Sequence, residues 1–363
     1  MRYKKFFALL LALALVCGSL SGCAAGQTAA PAEPAVSFTD SLGRTVDIPE
    51  TLTRVAPSGA VASMFLATIA PEYMTTINAT PSSSQYKYLD PRLIDLPTTG
   101  QMYGSKSTLN LESILTSGVQ VVIDLGDKKD NMAADLDALQ RQIGMPVIFI
   151  EADLPHMAEA YRTLGKILSG KEARGEELAA FVEETVSMAE ENAANIQDSE
   201  RISVLYTSGS SGLNTNAKGS IQAQVLDLMG IENAAVVEDV SNKGGGNPIN
   251  LEQLYRFDPD VILFAAGSIY QTAAADEAWQ PLRAIQTGRY YEVPSMPYNW
   301  LSGPPSLNML LGVWWLGNLL YPQYYDYDMV EKTQEMFRLF WAYDLSADEA
   351  RAMLANSTLK DAS

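Results

Sequence analysis

The chain has 363 residues, with 25 Lys and Arg against 43 Asp and Glu, for a formal net charge of −18 and a pI near 4.5. Nucleic acid repels so acidic a surface, because its binding depends on clustered cations, and that class of partner is excluded. One histidine and two cysteines, both cysteines at or before residue 23, leave too few ligands for a zinc centre built from His and Cys.

Arg2, Lys4 and Lys5 precede an apolar or small run from Phe6 to Cys17, and small residues follow to Gly22. This is the layout of a secretory signal. A spanning helix needs about 20 apolar residues, so the run is short for a permanent anchor. Leu20-Ser21-Gly22-Cys23 resembles a bacterial lipobox. That resemblance implies cleavage before Cys23, loss of Cys17 with a signal peptide over 1–22, and lipidation of Cys23; the alternative is an ordinary signal with an incidental cysteine. Residues 23–37, "CAAGQTAAPAEPAVS", are rich in Ala and Pro and too poor in large apolar groups to bury a core. They read as a flexible tether, with the folded part beginning near Phe38.

Short apolar runs then alternate with helical patterns. "VQVVIDLG" (119–126) reads as a buried strand, "NMAADLDALQRQIG" (131–144) as an amphipathic helix closed by Gly, and "MPVIFIEA" (145–152) as the next strand. A long helix follows from Glu172 to about Ile196, with Leu178, Phe181, Val182, Thr185, Val186 and Ala189 at three- and four-residue intervals. At 1.5 Å per residue it spans roughly 35 Å, enough to run from one lobe to another, the alternative being a helix packed inside a single larger domain. "RISVLYTSG" (201–209), "SIQAQVLDLMG" (220–230), "PDVILFAAG" (259–267) and "RYYEVP" (289–294) repeat the strand and helix rhythm of parallel α/β units. These elements divide the chain into an N-terminal α/β lobe (38–153), a helical connector (154–198), a C-terminal α/β lobe (199–330) and C-terminal helices (331–363).

An internal echo supports two similar halves. "LNLESILTSGVQVVIDLG" (109–126) and "INLEQLYRFDPDVILFAAG" (249–267) share Asn-Leu-Glu ahead of a buried strand. Asn110 and Asn250 suit helix N-caps, which places Glu112 and Glu252 in the first turn, favourably against the helix dipole.

The sequence carries no recognisable catalytic motif, although with 43 acids a carboxylate pair stays open and nothing isolates one. His156 is the one histidine, no G-x-S-x-G elbow accompanies it, and neither a G-x-G-x-x-G nor a P-loop pattern occurs. Aromatic and amide residues instead gather in loops: Tyr86, Tyr88, Tyr103, Asn214, Asn216, Tyr298, Asn299 and Trp300. Loops at the carboxyl ends of parallel strands form ligand clefts, and this set is expected to line one.

Together these segments resemble the class III substrate-binding proteins of ABC importers, over nearly everything from Phe38 to about Pro322. "FTDSLGRTVDIPETLTRVA" is similar to that group's opening hairpin and first strand, with Asp40, Gly43, Arg44 and Pro49 in place. "TLNLESIL" with "VQVVID", "KGSIQAQVLDLMGIENAA", "INLEQLYRFDPDVILF" and "SGPPSLNMLLGVWWLGNLLYP" follow in the family's order. Two departures stand out. Val119-Gln120 replaces the usual Pro-Asp, and Gly244 to Gly246 occupy a place where the cobalamin-binding member has an aromatic.

The resemblance implies an α/β fold of two Rossmann-like lobes joined by a long rigid helix, with the ligand cleft between them. It implies a non-enzymatic, extracytoplasmic protein without a cofactor, monomeric and held to the membrane by lipid alone. Such a protein captures a ferric siderophore-type complex or a corrinoid and delivers it to an ABC permease and its ATPase. Residue by residue, Tyr103, Asn214, Asn216 and Trp300 match ligand-contacting loops, and Tyr298 belongs with them. Glu112 and Glu252 match permease-docking positions. Lys106, Lys128, Lys129, Lys218 and Lys243 are available to an anionic complex, and Lys128 joins the ligand-binding set. The alternatives are the same scaffold with haem, a nickel chelate or molybdate as cargo, an envelope enzyme using His156, and a structural lipoprotein.

Overall fold

A computed structural model describes residues 34–103 and 108–358. The segment expected to be a signal peptide (1–22), the expected lipidation residue Cys23, the expected tether up to residue 33 and Lys106 lie outside the described residues. The described residues from Ala35 onward form one compact unit. Among the described residues no helix is long and apolar enough to cross a membrane.

Strands β1 (Ala35–Thr39) and β2 (Thr45–Pro49) form an antiparallel hairpin with Phe38 opposite Val46. Its turn explains the Asp40 and Arg44 pattern. Asp40 Oδ1 accepts the N–H groups of Leu42 and Arg44, both at 3.0 Å. The Arg44 guanidinium reaches Asp40 Oδ2 at 2.7 Å, Asp137 Oδ1 at 2.8 Å and the carbonyl of Val147 at 2.6 Å, which fastens the hairpin to the first sheet.

That sheet is parallel, in the order β3-β4-β5. Strand β3 (Val55–Pro57) leads into α1 (Ala60–Ile69). The short α2 (Leu111–Thr116) precedes β4 (Val121–Gly126), and α3 (Met132–Ile143) crosses to β5 (Val147–Glu151). Helices α4 (Met157–Ile167) and α5 (Glu172–Asn195) follow. The second sheet takes its strands from β6 (Ser203–Thr207) onward. In chain order come β7 (Asn214–Thr215), α6 (Gln224–Leu228), β8 (Glu232–Asn233), β9 (Asn247–Pro248), α7 (Leu251–Phe257), β10 (Val261–Phe264), α8 (Arg283–Gln286) and β11 (Tyr290–Glu292). Its order is β11-β10-β6-β8, all parallel, while β7 and β9 pair as a separate antiparallel ribbon. Helices α9 (Asn308–Leu320), α10 (Met329–Trp341) and α11 (Ala347–Leu354) end the described chain.

Alternation along the strands sorts the core. Val121 and Ile123 of β4, with Val204, Tyr206, Val261 and Leu263 of the second sheet, join one apolar cluster shared by α1, α4, α5, α9 and α10. Val122 and Val147 face a second cluster, and Leu205, Ile262 and Phe264 a third. Strands buried on both faces read as continuous apolar runs, which is why they stand out in the sequence.

Helix α5 buries five of the six positions expected for it, with Val186 partly covered at the margin of the core. Thr185 Oγ1 accepts the indole N–H of Trp314 at 2.9 Å, and Arg174 donates to the carbonyl of Thr68 at 3.0 Å. Two expectations shift in detail. The first strand begins at Ala35, ahead of Phe38, and the 220–230 segment opens as a 3-10 turn, Ile221–Ala223, before α6.

Candidate functional site

The carboxyl ends of the parallel strands in both sheets open onto one cavity of about 650 Å³. Ser58 after β3, Gly126 and Asp127 at the end of β4, Ser208 and Gly209 after β6, and Ala265 and Ala266 after β10 all line it. This is where open α/β sheets place ligands, since the loops there carry side chains free of the ladder. The volume falls within the roughly 300–1,000 Å³ of pockets that enclose small organic ligands.

The first sheet contributes a carboxyl, a phenol and a helix start. Asp124, 4% exposed, accepts a hydrogen bond from the Ser58 hydroxyl through Oδ1, while its buried Oδ2 has no hydrogen-bond partner. Burial pushes this carboxyl up to about 6, against the Ser58 bond and the Lys129 charge, which pull it down. Gly59 caps α1 without any side-chain bond, so the uncapped first turn, with Ala60 and Val61, lines the same wall. The Tyr103 hydroxyl is buried and without a partner; burial and then the Asp124 carboxyl raise its pKa well above the usual phenol range. Lys129 Nζ lies 5.3 Å from the Tyr103 ring centroid and 2.9 Å from Asp127 Oδ1.

The second sheet contributes neutral groups. Tyr206 is buried, which raises its pKa, while hydrogen bonds with Ser302 and Asn299 oppose that rise. Asn216 and Gln222 are buried. The Gln222 amide N–H donates to the carbonyl of Asn242 at 3.0 Å, leaving a buried Oε1 with no hydrogen-bond partner. Gly244 and Gly245 complete this side. The adjoining Gly246 has a positive φ, and a Cβ there would sit 2.2 Å from the carbonyl of Thr215, so the glycine run lets the loop close onto β7. Asp124, Asp127 and Lys129 are the charged residues among the described lining, and Lys129 is paired with Asp127.

The structure distributes the sequence-derived residues unevenly. Tyr103 and Asn216 line the cavity; Asn214, Tyr298, Trp300 and Lys128 do not. Asn214 is held in β7, exchanging main-chain hydrogen bonds with Ser208. Trp300 is fully buried and donates its indole N–H to the carbonyl of Met296 at 2.9 Å, so it packs the core instead of a ligand. Tyr298 packs at the margin of the main core, and burial pushes its phenol up to about 12. Lys128 is exposed and pairs with Glu151 at 2.6 Å, leaving its neighbour Lys129 to face the cavity. Lys218 and Lys243 are exposed away from the lining. Tyr88 packs edge-on against Phe337 and Tyr343, and Tyr86 is exposed. Of the loop aromatics expected on the wall only Tyr103 lines it; large rings gain most by joining the core, and apart from Tyr103 and Tyr206 the wall is mostly small, hydroxyl and amide residues. Ser58, Asp124, Tyr206 and Gln222 are lining residues that sequence reasoning missed.

Glu112 and Glu252 are exposed in the first turns of α2 and α7. His156 lies outside the cavity lining, exposed before α4. Its Nδ1 is hydrogen-bonded to Asp153, and its Nε2 lies 3.9 Å from Glu151. Among the described residues no nucleophile is hydrogen-bonded to it, and the Asp153 side chain accepts the His156 main-chain N–H, capping the 3-10 turn Leu154–His156 that leads into α4.

A family model described as periplasmic binding protein matches residues 56–297. The chain is similar to an ABC transporter solute binding protein from Sulfurospirillum deleyianum, at 26% identity over 88% of this chain and 99% of that one, with a TM-score of 0.80. A periplasmic solute binding protein from Veillonella parvula is similar at 22% identity, covering 89% of this chain and 98% of that one, with a TM-score of 0.72. A molybdate periplasmic binding protein from Haemophilus influenzae, determined with molybdate bound, is similar at 18% identity, 86% and 99% coverage and a TM-score of 0.69. The latter two likenesses concern the fold alone. No curated protein matches the chain in sequence.

Proposed function

Because the chain belongs to the periplasmic binding protein family, we propose that it is the extracytoplasmic substrate-binding component of an ABC importer, capturing a ferric siderophore-type complex or a corrinoid and presenting it to a permease. The observation that carries this reading is the cavity of about 650 Å³ at the carboxyl ends of both sheets. It has room for the organic body of a chelate, and its wall of amides, hydroxyls and glycines can follow an irregular surface. Molybdate as cargo fits less well. A small oxyanion would sit beside the buried Asp124, and the one lining cation in the described residues, Lys129, is already paired. An envelope enzyme is disfavoured by the place of His156 away from the cavity.

In this reading Cys23 carries the lipid that moors the protein, and two or more acyl chains give stable anchoring where one gives only marginal binding. Glu112 and Glu252 are the docking points for the permease.

Titration calorimetry and native mass spectrometry against a ferric hydroxamate, a ferric catecholate, cobalamin, haem and molybdate test the cargo. Saturable one-to-one binding of a metal complex is expected; binding of molybdate alone, or of nothing, overturns the proposal.

A further inference from the structure

Two lining residues, one from each sheet, carry a buried acceptor for which no described residue supplies a donor. One is Asp124 Oδ2 at the end of β4, whose companion oxygen is committed to Ser58. The other is Gln222 Oε1, just ahead of α6. Its orientation is fixed, because the amide N–H must face the carbonyl of Asn242, 3.0 Å away, and the oxygen is therefore turned from it. Polar atoms left unpaired in a folded interior are rare and costly, so two on the lining of one cavity point to a partner that arrives with the ligand.

The rest of the lining does not reverse this balance. Lys129 is closed onto Asp127 at 2.9 Å, and the buried Tyr103 hydroxyl can donate or accept. The N–H donors at the uncapped start of α1 suit a neutral carbonyl or hydroxamate oxygen of the same ligand; a multiply charged anion there would meet Asp124, which is hydrogen-bonded to the preceding Ser58.

We infer that, granted a metal complex as the cargo proposed above, this cavity selects complexes that carry hydrogen-bond donors such as ammonium, hydroxyl or primary amide groups and no net negative charge, with Asp124 and Gln222 as the recognising acceptors. Among the described residues the titratable and charged groups around Asp124 are Asp127 and Lys129 from its own strand end and Tyr103 from the preceding loop, with Asp135 of α3 and, in the opposite sense, Arg44 of the hairpin acting on Tyr103. Among the described residues the second sheet adds only one titratable group to the lining, Tyr206. Since burial places the Asp124 carboxyl at about 6, affinity for a cationic complex rises as pH climbs through that value, and affinity for an anionic one falls.

The test is calorimetry below and above pH 6 with three probes: a ferric trihydroxamate bearing a free ammonium, its neutral N-acetylated counterpart, and the triply anionic ferric triscatecholate. The ammonium form is expected to bind tightest and the triscatecholate weakest. Asp124→Asn keeps an acceptor for Ser58 and is expected to weaken the ammonium form by about tenfold or more, as loss of a charge-assisted bond does, while flattening its pH dependence. Gln222→Met is expected to weaken both trihydroxamates, and it keeps the question open to test should the Asp124 variant fail to fold. Tightest binding by the triscatecholate, or an unchanged affinity and pH profile in both variants, overturns this inference alone. Binding of none of the three by the unaltered protein, with molybdate bound instead, overturns the metal-complex reading on which it rests.

Discussion

Glu112 and Glu252 occupy the same place in two copies of one capped turn. Asn110 accepts the N–H of Ser113 at 3.2 Å and Asn250 that of Gln253 at 2.9 Å, so each glutamate is the second residue of its helix. Both are exposed, with a buried aliphatic two residues on, Ile114 and Leu254, and an exposed large apolar residue three on, Leu115 and Tyr255. A glutamate this close to a helix start stabilises it by about 0.3–1 kcal/mol, too little to explain why the whole arrangement is repeated on both sheets.

If the pair docks the permease, replacing both by Ala leaves ligand affinity unchanged and stability within about 1 kcal/mol per site, while uptake is lost. Calorimetry on the purified variant beside cargo uptake in cells separates the two outcomes. Loss of binding itself would assign the glutamates to the fold.

Gly175 marks where α5 crosses α4. A Cβ there would lie 2.6 Å from the carbonyl oxygen of Tyr161 and 2.8 Å from the Cα of Gly165. Both neighbours are backbone and cannot rotate aside. Gly175→Ala therefore sets a helix-propensity gain of about 1 kcal/mol against overpacking of about 1–3 kcal/mol. Net destabilisation is expected by urea unfolding, and a stabilised variant would mean that the two helices separate freely.

Elements were legible in the sequence where one physical signal dominated. The run 119–126 became β4 because a doubly buried strand has no polar face, and Glu172–Asn195 followed its periodic apolar stripe. Side-chain direction in loops carries no such signal. Adjacent Lys128 and Lys129 part company, one toward Glu151 and one toward the cavity, and Trp300 and Tyr298 turn to the core although their loop neighbours Ser302 and Gly303 line the wall. For Asp124 a signal did exist: an acid inside "VQVVIDLG" is a carboxyl placed where burial is costly, which marks a position kept for its chemistry. Gln222 had none, since an amide in a turn is ordinary until its partners are seen.

Arg44 closes the amino-terminal hairpin onto the first sheet through three acceptors, Asp40, Asp137 and the carbonyl of Val147. The Asp40 side chain is wholly buried, so removing the guanidinium leaves its charge uncompensated, held only by the N–H groups of Leu42, residue 44 and Phe149. Arg44→Ala is expected to cost about 3 kcal/mol or more in chemical denaturation. Arg44→Lys is expected to restore little of it, because one ammonium cannot span acceptors arranged for a planar fork. Full rescue by Lys would show that charge alone holds the hairpin.

The carboxyl of Asp124 also leaves a signature in stability. Its ordinary value of 3.8 is raised to about 6 in the fold, so between those values the native state keeps a proton that the unfolded chain has released. Stability therefore falls as pH rises through that window, by about 3 kcal/mol in all, and the loss is complete above pH 6. Asp124→Asn carries no such penalty. Its stability should match the parent near pH 4 and exceed it by up to about 3 kcal/mol at neutral pH, measured by urea unfolding of the ligand-free proteins. A gap that stays constant from pH 4 to 7 would mean that the carboxylate is solvated through the cavity and is not an unmet acceptor. A gap that opens means the ligand-free protein holds a strained charge at neutral pH, and a donor on the cargo would relieve it.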